Sequence, residues 1–103
     1  MGDKKIIYIA GPITGVEKYW EPFEKAEDEL VAMGFTVLTP TRLPHDLSGD
    51  KAMKICLAMI DQADAVYFLP GWRQSVGANL EWDYCVYTNK LIATKIESLG
   101  VLR

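Results

Sequence analysis

Four short apolar runs punctuate this chain: Lys5–Ala10, Phe35–Leu38, Ala65–Leu69 and Leu91–Thr94. They show little polar alternation, so both faces of each strand are expected to be buried, as in a parallel sheet. The first three end in turn signals, Gly11-Pro12, Thr39-Pro40 and Pro70-Gly71. Helical periodicity fills the gaps. One helix carries Phe23, Ala26, Leu30 and Met33 inward and is closed by Gly34 as a left-handed cap. A second starts near Ser48 or Asp50, with Ala52, Ile55, Cys56, Met59, Ile60 and Ala63 on one stripe. A third starts near Val76, with Ala78, Trp82, Cys85 and Val86 on its stripe. Strands separated by helices predict an α/β fold: a parallel sheet covered on both faces and joined by right-handed crossovers.

At 103 residues and 50% hydrophobic content the chain supports one core, so residues 1–103 are expected to form a single domain. Lys and Arg are dispersed and the formal net charge is −3, which argues against nucleic-acid polymers and acidic membrane surfaces as partners. Cys56 and Cys85 have neither metal-ligand nor disulfide spacing, so they are expected to be reduced core thiols, with no metal and no cofactor indicated. The absence of a membrane-spanning run and of a signal-peptide pattern suggests a cytoplasmic protein.

In such a sheet, ligands bind at the carboxyl ends of the strands, near the switch in strand order. That rule gathers three loops on one edge: Gly11-Pro12-Ile13-Thr14-Gly15, Thr39-Pro40-Thr41-Arg42, and Pro70 through Ser75. Gly11, Gly15, Gly71 and Gly77 allow sharp turns or close approach to a ligand, and the start of the third helix offers free N–H groups to an anion. Glu81 is the anomaly. It falls on the inward stripe beside Ala78 and Cys85, where an unpaired carboxylate costs several kcal/mol, so it is expected to be paired, protonated or chemically employed. The bland alternatives are pairing with Arg42 or Arg73, or capping of backbone N–H groups.

Tyr8 through Gly15, Ala63-Asp64-Ala65-Val66, and Leu69-Pro70-Gly71-Trp72 followed by Ser75, Gly77-Ala78 and Glu81 resemble the nucleoside 2-deoxyribosyltransferase superfamily. The likeness spans about Lys5 to Thr94. It looks nearest to a small phage- or prophage-associated branch, and more distantly resembles the 2′-deoxynucleoside 5′-monophosphate N-hydrolases. The resemblance implies a flavodoxin-like three-layer sandwich with a parallel sheet of four to five strands. It also implies catalytic roles: Glu81 as the nucleophile that attacks the anomeric carbon and forms a glycosyl-enzyme intermediate, and Tyr8 as the hydroxyl that steers it. Gly11, Pro12, Thr14, Gly15, Gly71, Trp72, Arg73, Ser75 and Gly77 are the candidate substrate-binding residues. Ser75 stands where the hydrolases use a Ser on phosphate, although Ser is also a good helix N-cap. Trp72 and Trp20 are candidates for stacking on the base, with core or interface packing as the alternative.

The chain departs from the family pattern in two places. Eight residues before Asp64, where the family carries an Asp that helps protonate the leaving base or bind the sugar, stands Cys56. Pro12 and Thr14 replace a Ser and an Arg of the hydrolases. His45, the lone histidine, lies in a loop expected to border the same edge and is a candidate acid. The reading is therefore N-glycosidic bond cleavage or base exchange on a 2′-deoxynucleoside or its 5′-monophosphate. The alternative is a nucleotide-binding or sensing module that has lost turnover. Three Trp and five Tyr in so small a chain, together with oligomeric family members, lead us to expect a homo-oligomer, dimer or higher. Val101-Leu102-Arg103 leaves little room for the C-terminal segment that closes the site in longer members.

Overall fold

Ile6–Ala10 forms β1, an inner strand whose residues from Ile7 onward are fully covered, in a computed structural model that describes residues 4–103. The remaining strands are β2 (Thr36–Leu38), β3 (Ala65–Phe68) and β4 (Leu91–Ala93), in the order β2-β1-β3-β4. Every pairing is parallel, with Tyr8 opposite Leu38 on one side and Val66 on the other. The four apolar runs are thus the four strands, each trimmed by a residue or so at its ends.

Helices α1 (Trp20–Ala32), α2 (Gly49–Gln62) and α3 (Val76–Tyr87) provide the crossovers. Alternation along β1 decides which helix meets which side chain. Ile7 and Ile9 pack with Phe23, Ala26 and Leu30 of α1 and with Leu99 of the C-terminal 3₁₀ segment Ile96–Leu102. Tyr8 and Ala10 point the other way, into a second core with Cys56 and Ile60 of α2 and Cys85 of α3. The result is three layers: α1 with the C-terminal segment, the sheet, and the α2/α3 pair. This is a flavodoxin-like arrangement, with the reversal of strand order between β1 and β3.

Gly34 closes α1 at φ +99°, as its position after Met33 led us to expect. Two details of the helix stripes differ from the periodicity reading. Val86 is 61% exposed and Ile55 40% exposed, so neither belongs to the core. The buried face of α3 is Ala78, Glu81 and Cys85. Apolar residues occur on all sides of α3, and periodicity alone therefore assigned Val86 to the wrong face.

Gly11 ends β1 against β3. A Cβ built there would lie 2.8 Å from Cδ1 and 3.0 Å from Cβ of Leu69, and the Leu69 N–H bonds the Ala10 carbonyl at 2.8 Å. Gly11→Ala is expected to force these neighbours apart and cost about 1–3 kcal/mol, as overpacking in a core does. Urea denaturation reads this as a lower midpoint at unchanged slope; an unchanged midpoint would show that the two strand ends are not in close contact.

Candidate active site

The carboxyl ends of β1, β2 and β3 open into a cleft of about 560 Å³, walled on one side by the loop after β1 and on the other by the first turns of α2 and α3. That volume suits a small organic ligand. At its floor the Tyr8 hydroxyl donates to Glu81 Oε2 at 2.7 Å, joining the middle of β1 to the second turn of α3. Glu81 is 5% exposed and Tyr8 fully buried. Neither arginine considered as a partner is near the carboxylate: Arg42 binds Glu27 at 2.6 Å, and the Arg73 guanidinium lies 5.2 Å over the Trp72 ring.

Burial raises the Glu81 carboxyl from 4.5 to about 7, while hydrogen bonds from the Tyr8 hydroxyl and the Cys56 thiol pull it down. Burial, joined by the charge of Glu81, holds Tyr8 well above the ordinary phenol range, so it stays a donor. Burial also pushes the Cys56 thiol up to about 11 and the Cys85 thiol to about 11. The floor therefore holds one carboxylate that titrates near neutrality between groups that remain protonated.

Around this centre the loops divide. Gly11, Thr14, Ser75 and Gly77 line the cleft with Tyr8 and Glu81. The Ser75 hydroxyl oxygen accepts from the Ala78 N–H at 3.1 Å, so Ser75 caps α3 and its own hydrogen stays available to a ligand. At Gly77 the helix passes close to α2: a Cβ there would lie 3.3 Å from the Met53 methyl. Pro12, Gly15, Gly71, Trp72 and Arg73 lie outside the cleft wall. The two loops carrying Pro12 and Gly71 run side by side, with Gly71 at φ +86°. Trp72 stacks on Trp82 at 4.2 Å and 9° and packs against Phe68, so its ring is engaged within the protein. Trp20 is 43% exposed, meets Tyr19 edge-on, and lines a separate outer depression.

Several cleft residues escaped the sequence reading. Tyr19 is one, and its hydroxyl lies 3.3 Å from Nδ1 of His45, which also lines the cleft. Met53 and Ala52 on α2 and Leu43, Pro44 and Leu47 before it form an apolar wall. The usable signal was positional: Tyr19 ends the loop after β1, just before α1, and the others fall within the loop after β2 or the first turns of α2, on the ligand edge of the sheet. Among the described residues no group of His, Cys, Asp and Glu is arranged to hold a metal ion, and no helix is long and apolar enough to cross a membrane.

Residues 5–94 match the family described as domain of unknown function (DUF4406), and the chain belongs to that family. No curated protein matches it. Among solved structures it is similar to a 2-deoxyribosyltransferase from the psychrotolerant bacterium Bacillus psychrosaccharolyticus, at TM-score 0.67 and 23% identity over 84% of this chain and 69% of that one. At that identity the likeness establishes a common fold.

Glu81 binds its proton more tightly in the folded chain than in the unfolded one, so folding loses stability as pH rises from 4.5 through about 7. The loss amounts to about 3 kcal/mol. Glu81→Gln keeps an oxygen for the Tyr8 hydroxyl and removes the titration. The variant is expected to gain on the wild type between pH 5 and pH 8 in paired urea denaturations. A difference that does not change with pH would contradict a raised carboxyl.

Proposed function

We propose that this DUF4406-family chain, acting as one domain, breaks the N-glycosidic bond of a 2′-deoxynucleoside or its 5′-monophosphate and passes the sugar to water or to a second base. The observation that carries the reading is the buried Tyr8–Glu81 pair at the floor of a ligand-sized cleft on the strand-end edge. The neighbour of the same fold is a 2-deoxyribosyltransferase, which agrees with it.

The proposed chemistry uses the Tyr8–Glu81 pair as follows. As the C1′–N bond lengthens, the sugar takes on oxocarbenium character, and a carboxylate in a poorly solvated floor stabilises that charge more than water would. Glu81 then captures C1′ as a glycosyl ester, and water or an incoming base displaces it. Tyr8 is a positioning residue: its hydrogen bond fixes the carboxylate rotamer and favours the ionised form. The sugar's 5′ substituent would meet the Ser75 hydroxyl and the first N–H groups of α3, which suit either a hydroxyl or a phosphate. In the same reading the protein is a cytoplasmic member of the small phage-associated branch and self-associates through α3, which presents Val76, Leu80 and Tyr87 to solvent.

The second reading, a module that binds a nucleotide without turning it over, is favoured by Cys56, a thiol at the position where the deoxyribosyltransferases and N-hydrolases that the chain resembles carry an Asp. One assay separates the two. Deoxynucleosides and their 5′-monophosphates, incubated with and without an acceptor base, are expected to release or exchange base with the wild type and not with Glu81→Ala. The rate is expected to climb with pH through about 7 as Glu81 ionises. Tyr8→Phe removes an interaction that lowers the carboxyl, so its ascending limb moves to higher pH while the maximal rate falls. Tight nucleotide binding without turnover would establish the binding module.

A further inference from the structure

The proposed reaction has two halves. Forming the glycosyl ester requires a carboxylate; expelling a neutral purine or pyrimidine requires a proton for the departing ring. Among the described residues, the titratable side chains lining the cleft are Tyr8, Tyr19, His45, Cys56 and Glu81. Tyr8 already donates to Glu81. Cys56, on the α2 wall, is a thiol that burial pushes up to about 11, a weak proton source at neutral pH. Tyr19 and His45 bond each other at the rim, where they also wall the outer depression that holds Trp20 and Glu24. The floor thus provides the nucleophile, faced by sulfur and apolar surface where a proton donor would stand. The cleft wall carries no lysine or arginine, and its one carboxyl group is that of Glu81.

Resting on the function proposed above, we infer that the preferred substrate is an N-glycoside whose base is already a cation, a heteroaromatic ring quaternised at the glycosidic nitrogen. Glu81 forms its bond to C1′ as the C1′–N bond breaks, and the bonding pair moves onto the ring nitrogen and cancels its positive charge. The base leaves neutral, and no proton is needed. Water then adds to C1′, the Glu81 carboxylate is released, and one proton passes to solvent. A site whose carboxylate is Glu81 and whose wall carries no lysine or arginine complements such a ring electrostatically, and Tyr19 and Met53 offer polarisable surface to a flat cation.

The test uses the 103-residue chain with nicotinamide 2′-deoxyriboside, whose ring charge is fixed, beside thymidine and 2′-deoxyguanosine, with spontaneous release subtracted. A positioned general acid is worth ~10²–10⁴-fold, so the pyridinium substrate is expected to be cleaved at least ~10²-fold faster than the neutral ones. Its pH profile is expected to rise once and stay level. Cys56→Asp, which places an acid on the α2 wall, is expected to gain turnover of the neutral nucleosides; its circular dichroism spectrum and urea midpoint report that it folds. Glu81-dependent cleavage of neutral nucleosides at matching rates, with a bell-shaped profile, overturns this inference and leaves the Glu81 chemistry standing. No Glu81-dependent release from any substrate overturns both.

Discussion

The 2.7 Å hydrogen bond between Tyr8 and Glu81 joins residues 73 positions apart, from the middle of the central strand to the second turn of the last helix. Much else in the molecule is arranged so that this contact can exist. Tyr8 must face the α2/α3 layer, which requires Ile7 and Ile9 to fill the opposite layer with α1. Glu81 must enter the core from α3, which requires the helix to start at Ser75 and to approach α2 closely at Gly77. In exchange the protein holds a carboxyl near 7 at the base of an open cleft, at a cost in stability that grows with pH. A buried ionisable group whose burial weakens the fold, next to space for a ligand, is the usual mark of a site kept for chemistry.

The cleft itself is a product of topology. β1 lies between β2 and β3, so the connection leaving β1 goes to α1 on one face while those leaving β2 and β3 go to α2 and α3 on the other. The chain parts above the end of β1, and the first turns of α2 and α3 face the gap with unpaired N–H groups. Gly11 is needed at that parting because Leu69 occupies the space a side chain would take. The same arrangement leaves Tyr19 and His45, from two different loops, meeting at the rim.

The strands were legible because they are largely apolar and the first three end at Gly or Pro turn signals, and α1 and α2 because their apolar residues keep a helical period. Glu81 was legible for a related reason: a carboxylate out of phase with the polar face is visible without coordinates. Tyr19 and the Leu43–Leu47 wall were not, since loop residues carry no period and their inward face is decided by tertiary contacts. Trp72 shows the converse. An aromatic ring on the ligand edge looks like a stacking surface in sequence, yet its partner is Trp82, ten residues on, and the stacked pair closes the α3 side of the core. Val86 was misplaced because α3 is apolar on every side, which leaves periodicity no face to choose.

The most direct test of Glu81 as the nucleophile is mass spectrometry of peptides from a reaction with a cleavable 2′-deoxynucleoside substrate, quenched in acid during turnover. The expected result is a deoxyribosyl ester on the peptide that contains Glu81, absent from Glu81→Gln and lost when fresh acceptor is added before the quench. Continuing base release with the Glu81 peptide unmodified, or a sugar adduct on another side chain, would contradict it.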